Sequence, residues 1–202
     1  FAKGELVTGG EIASSSTGLK IKTSAELISQ GATSLAILQG QVHGVSMAMS
    51  DSDLVSLKST ASVTTFSFST QSDLLQSGSI TIYLPAQYFS QKSAPVGVLA
   101  AHSGSSAVLS SCLMTTATLS IVCTTSGGTL RAGGPHNITF AAGELTTGLY
   151  RVLNSTGLSI ATSSENVSVP VPSPDIAGRI YGVRMSMSDL DAVALKPTSS
   201  AT

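Results

Sequence analysis

Three blocks of this chain occur twice, in the same order, and that repetition constrains the fold more than any other feature. Phe1-Ala2-Lys3-Gly4-Glu5-Leu6-Val7-Thr8-Gly9 returns as Phe140-Ala141-Ala142-Gly143-Glu144-Leu145-Thr146-Thr147-Gly148, a shift of 139 positions. Thr17-Gly18-Leu19-Lys20-Ile21 returns at the same shift as Thr156-Gly157-Leu158-Ser159-Ile160. Gly40-Gln41-Val42-His43-Gly44-Val45-Ser46-Met47-Ala48-Met49-Ser50-Asp51 returns as Gly178-Arg179-Ile180-Tyr181-Gly182-Val183-Arg184-Met185-Ser186-Met187-Ser188-Asp189, where the shift is 138. Self-similarity at a fixed period is the signature of an array of like units. The stretch from about Thr60 to Thr139 has no second copy. The expected division is residues 1–59 as the C-terminal part of one unit, 60–198 as a complete unit, and 199–202 as the start of the next or a linker. Phe1, with no initiator Met and no basic-then-apolar leader behind it, fits a mature or excised fragment.

Charge narrows the function classes. Only 10% of residues are charged and the net charge is −1. Lys3, Lys20, Lys22, Lys58, Lys92 and Lys196 are scattered, so no basic patch exists to grip nucleic acid or an anionic membrane surface. No apolar run approaches the roughly 20 residues that span a bilayer. The chain is expected to have neither a nucleic-acid partner nor a membrane span.

Period-2 alternation dominates the local pattern. Val63–Ser69, Ser79–Leu84, Leu119–Cys123, Asn137–Phe140, Leu158–Ile160 and Ile180–Met187 each alternate apolar or β-branched residues with polar ones. Clusters such as Gln76-Ser77-Gly78, Ser126-Gly127-Gly128, Ala132-Gly133-Gly134-Pro135 and Pro170-Val171-Pro172 punctuate them with turn residues. No helix longer than a couple of turns is visible; Ser50–Leu57 has room for one short turn capped by Ser50 or Asp51. The fold class is therefore all-β: an antiparallel, Ig-like β-sandwich repeat of about 139 residues, with a small barrel as the second architecture.

Few residues offer chemistry. Cys112 and Cys123, eleven apart between strand-like segments, suit a structural disulfide, because a metal pair would need further Cys or His ligands and only distant His102 and His136 are available. Three acceptor sequons begin at Asn137, Asn154 and Asn166, within a Ser/Thr-rich, weakly charged stretch, and point to an extracellular glycoprotein. The recurring Met-x-Met-Ser-Asp-x-Asp supplies Asp51 with Asp53, and Asp189 with Asp191. Two carboxylates at i and i+2 in a turn can hold Ca²⁺; the plainer reading is that they hydrogen-bond the local backbone. The methionines at i and i+2 read as core filler. His43, His102 and His136 stand beside no nucleophile, and Tyr181 replaces His43 in the second copy. Glu5 and Glu144 lack a partner carboxylate nearby, and the glycines of Gly127–Gly134 lack the Lys-Ser/Thr of a phosphate loop. No enzyme and no obligatory cofactor emerge.

The segments Thr65–Phe68, Gly78–Ala86, Ile121–Gly127 and Ile138–Gly148 together resemble the tandem Ser/Thr/Gly-rich β-sandwich repeats of very large secreted surface and adhesive proteins of algae and other protists. The resemblance spans most of the repeat through strand and turn chemistry, and implies a cell-surface, matrix or filament role with no catalytic residues to carry over. Expected partners are copies of the unit itself, in tandem or between chains, with glycans or matrix proteins as further candidates. Residues 1–59 lack the Thr65–Leu84 strands, so a preceding stretch or a neighbouring chain is expected to complete them by strand addition. The alternative function is an adhesin- or lectin-like binding module using Ca²⁺ at the Asp-x-Asp turns.

Overall fold

Thr64, Phe66, Phe68 and Thr70 fall on one face of an extended segment because successive side chains of a strand point to opposite sides, and all four are buried. The computed structural model describes residues 40–90, 94–115, 119–149, 152–178 and 184. They form ten strands: β1 His43–Ala48, β2 Thr64–Thr70, β3 Ser79–Tyr83, β4 Phe89–Ser90, β5 Gly97–Ala100, β6 Val108–Thr115, β7 Ser120–Ser126, β8 Gly133–Phe140, β9 Thr146–Thr147 and β10 Ser159–Thr162. Among the described residues the only helical element is a 3₁₀ turn at Asp51–Asp53. The described residues are all-β, as expected.

Two four-stranded antiparallel sheets carry the fold, in the orders β1-β2-β8-β5 and β10-β3-β7-β6, beside the small pair β4-β9. Both sheets feed one hydrophobic cluster. Phe66, Phe68, Ile138 and Phe140 come from the first, and Ile80, Ile82, Ile121 and Ile160 from the second, all at 0% exposure. Phe66 and Phe140 meet edge to face with ring centroids 6.0 Å apart, a geometry contributing roughly 0.5–1.5 kcal/mol beyond area burial. Cys112 and Cys123 face each other across the β6–β7 ladder and form a disulfide that pins edge strand β6 to β7.

The alternating runs at Val63–Ser69, Ser79–Leu84, Leu119–Cys123, Asn137–Phe140 and Leu158–Ile160 lie on β2, β3, β7, β8 and β10, while Ile180–Met187 lies outside the described residues. Strands β5 and β6 left no such trace. Each lies at the edge of its sheet, and Val98 and Leu113 stand 61% and 54% exposed there, so apolar residues occur on both faces and blur the period. The short turn is present without its expected cap: neither Ser50 nor another side chain bonds its first N–H groups.

Strand β1 pairs antiparallel with β2, from His43 opposite Ser69 to Ala48 opposite Thr65. Met47 and Met49 pack partly buried against the core. The Thr60 N–H donates to the Leu145 carbonyl and the Ser56 N–H to that of Ala177. On the two sides of the expected 59/60 division the backbone bonds the same segment, the Lys58 carbonyl accepting the Thr147 N–H and the Thr60 N–H donating to Leu145 O. Gly148 marks a close approach: a Cβ there would overlap the Gln87 carbonyl oxygen.

Truncating the shared core should be costly. Phe66→Ala is expected to lose about 3–5 kcal/mol in urea unfolding, whereas Leu75→Ala, at a position 67% exposed, should cost less than about 0.5 kcal/mol.

Candidate functional site

The Asp-x-Asp turn is the first site to place. Its backbone closes through the Asp53 N–H to Ser50 O, at 2.8 Å, and the Leu54 N–H to Asp51 O, at 3.2 Å. Asp51 is exposed, but Asp53 turns inward and is 1% exposed. Oδ1 of Asp53 accepts the Ala61 N–H and Oδ2 the Ser62 N–H, each at 2.9 Å, and Lys58 Nζ stands 3.2 Å from Oδ1. Lys58 also donates to the Ser52 carbonyl. Burial raises the carboxyl's pKa, but the two N–H groups and the ammonium outweigh it and hold Asp53 below the usual carboxylate range. The carboxylate is thus filled by donors and closes the 53–62 loop. Asp189 and Asp191 lie outside the described residues. Among the described residues no three His, Cys, Asp or Glu side chains converge as a metal site would require.

A second buried carboxylate went unremarked in the sequence. Glu165, 5% exposed, accepts the Gln71 N–H at 2.6 Å and the Ser72 N–H through Oε1, fastening the turn that follows β2. Beside it Gly40 accepts the Asn166 N–H, and the Val42 N–H donates to Asn166 O. A Cβ on Gly40 would sit 2.8 Å from Ser72 Oγ and 3.0 Å from Glu165 Oε1, so a larger residue there would displace the Ser72 and Glu165 side chains. The signal was available: Thr162-Ser-Ser-Glu165 answers Thr23-Ser-Ala-Glu26 at the 139-residue shift.

His136 is fully buried in β8, with its ring 5.4 Å from that of Phe68 and 6.4 Å from that of His102. Nδ1 accepts the His102 backbone N–H at 3.1 Å, which leaves the proton on Nε2, 3.4 Å from Thr70 Oγ1. Burial first, and the neighbouring His102 second, push its pKa down. Among the described residues no carboxylate or thiol hydrogen-bonds this ring. His43 lies exposed at the start of β1, and Glu144 accepts the Val96 N–H at 2.6 Å, tying the segment after β8 to β5; Glu5 lies outside the described residues.

The acceptor asparagines differ in setting. Asn154 and Asn166 are exposed on connections, whereas Asn137 sits mid-strand in β8, accepting the Ser67 hydroxyl at 2.6 Å. Ser168 of the third sequon accepts the Ile160 N–H through Oγ at 3.1 Å. A groove of about 270 Å³ runs between edge strands β5 and β6, lined by Val96, Gly97, Leu109, Leu113 and serines, with no titratable group. No helix among the described residues is long and apolar enough to cross a membrane.

The chain matches no protein-family model, no curated protein and no solved structure.

His136 gives the fold a pH signature. Its folded-state pKa lies below the unfolded value of about 6.5. Above that pH both states are neutral; below it the unfolded chain takes up the proton first, so stability falls as pH falls. Calorimetry from pH 7 to pH 5 should show a declining Tm, with a slope of up to ~1.4 kcal/mol per pH unit for one proton. His136→Asn, which keeps an acceptor for His102, should flatten it; an unchanged slope would assign the effect elsewhere.

Proposed function

We propose that this chain is a stretch of an extracellular structural array, built of Ig-like β-sandwich units in tandem that form a filament, fibre or adhesive cell-surface coat. One observation carries the reading: the recurring blocks include residues of the buried core, alongside exposed turn residues such as Gly143, Thr156 and Gly157. Phe140, Leu145, Leu158 and Ile160 are all 0% exposed, and Phe1, Leu6, Leu19 and Ile21 stand at the corresponding places one period earlier. The exposed Leu149 and Asn154 correspond in sequence to the unlike Gly10 and Ser15. The repeat thus carries core positions with it, as expected of units whose job is to stack and bear load.

The surroundings support this placement. A disulfide persists in oxidising compartments, and the exposed Asn154 and Asn166 offer glycan acceptors on the outside of the fold. Both carboxylate oxygens of Asp53 and Oε1 of Glu165 are spent on backbone N–H groups, as rigidity demands.

Native material should show a mass many times 20.4 kDa, either as one long polypeptide under denaturing, reducing conditions or as end-to-end assemblies in sedimentation. Enzymatic glycan release in heavy-oxygen water should label Asn154 and Asn166. A compact 20.4 kDa monomer in both mass measurements would end the array reading.

A further inference from the structure

The chain enters and leaves the described unit at opposite ends. Gly40 sits beside Glu165, Asn166 and Ser72, at the end where His43 faces Ser69 and the Ser163 N–H donates to Ser79 O. From there residues 41–55 and 166–177 run in the same direction, with a parallel bridge at each limit: Gln41 to Asn166 and Val55 to Ala177. Ala177 is held at the far end, its N–H donating to Leu54 O and its carbonyl accepting the Ser56 N–H, both at 2.9 Å. Nearby the Tyr88 hydroxyl donates to Pro174 O at 2.7 Å. The whole length of β1 separates entry from exit.

The next residue, Gly178, begins the second copy of the β1 sequence. Gly178, Ile180, Val183, Asp191 and Lys196 stand one period after Gly40, Val42, Val45, Asp53 and Lys58. In the first copy these are the crowded glycine seat beside Ser72 and Glu165, two core side chains and the ion pair within the 53–62 loop. The β2 edge to which such a strand pairs is already taken by His43–Ala48. The second copy therefore repeats in sequence the residues that seat β1, while the β2 edge already holds the first copy.

We propose that the folding unit of the array is Gly40–Ala177, that Gly178 opens the following unit, and that the units join without a linker, exit end against entry end. This rests on the array reading and adds to it a boundary, a polarity and a contact partner, the adjacent copy. The unit so framed differs from residues 60–198, which would have to recruit Gly178–Lys196 to the β2 edge. Ala177 lies at the wrong end for that: Gly178 would need to reach the Glu165 seat, a full strand length away.

Paired substitutions in the 202-residue chain test the frame. By differential scanning calorimetry, Gly40→Val should lower the main transition by roughly 5 °C or more, and Asp53→Asn should also lower it, while Gly178→Val and Asp191→Asn should shift it by less than about 1 °C. If Gly40→Val abolishes folding, the milder Asp53 and Asp191 pair decides. Destabilisation by Gly178→Val or Asp191→Asn, or silence of the Gly40 and Asp53 variants, would overturn the frame. These readings are made on isolated chains, so they stand apart from assembly: a monomeric native protein would sink the array and leave the asymmetry, and a reversed asymmetry would sink the frame and leave the array.

Discussion

The described part of this protein depends on one apolar cluster, to which β2 and β8 contribute Phe66, Phe68, Ile138 and Phe140, and β3, β7 and β10 contribute Ile80, Ile82, Ile121 and Ile160. Aromatic residues are only 4% of the chain, and three of its five phenylalanines meet in this layer. Sheets of four short strands are marginal alone, because each leaves an apolar face in water; joined over a common core they become one cooperative body. The edge strands β1, β5, β6 and β10 then have a template to pair with.

Polar side chains work at the margins of that core. Where the chain leaves a strand, its backbone N–H groups lose their ladder partners and cost free energy if buried unpaired. Asp53 takes up two such groups at Ala61 and Ser62, Glu165 two more at Gln71 and Ser72, and His136 one at His102. Each buried titratable group closes a connection. Here precision is spent on loop geometry.

The sequence made the core strands legible because they are central: Phe66 and Phe68 alternate with serines, and Ile80 and Ile82 with threonine, so the period of two is clean. It hid β5 and β6 because edge strands expose both faces, as Val98 and Leu113 do. Strand order was not legible either. β8 lies between β2 and β5, partners about 70 and 40 residues upstream, and no local pattern encodes such distant pairing. The placement of Gly40–Asp51 illustrates the same limit. Periodicity shows that the segment occurs twice, but only the hydrogen bonds from β1 to β2 show which neighbour it serves. The Asp-x-Asp motif was visible as a polar turn; its inward rotation onto Ala61 and Ser62 depends on a loop eight residues away.

The central claim is that β1 belongs to the same cooperative body as the strands that follow it. Native-state hydrogen exchange on the intact chain, read peptide by peptide, tests this most directly. The account predicts that His43–Ala48 exchanges in step with β2 and β8, through a single opening that also releases β3 and β7. If β1 exchanged independently, more than about tenfold faster than β2 and β8, the body would begin after it and the account would be wrong.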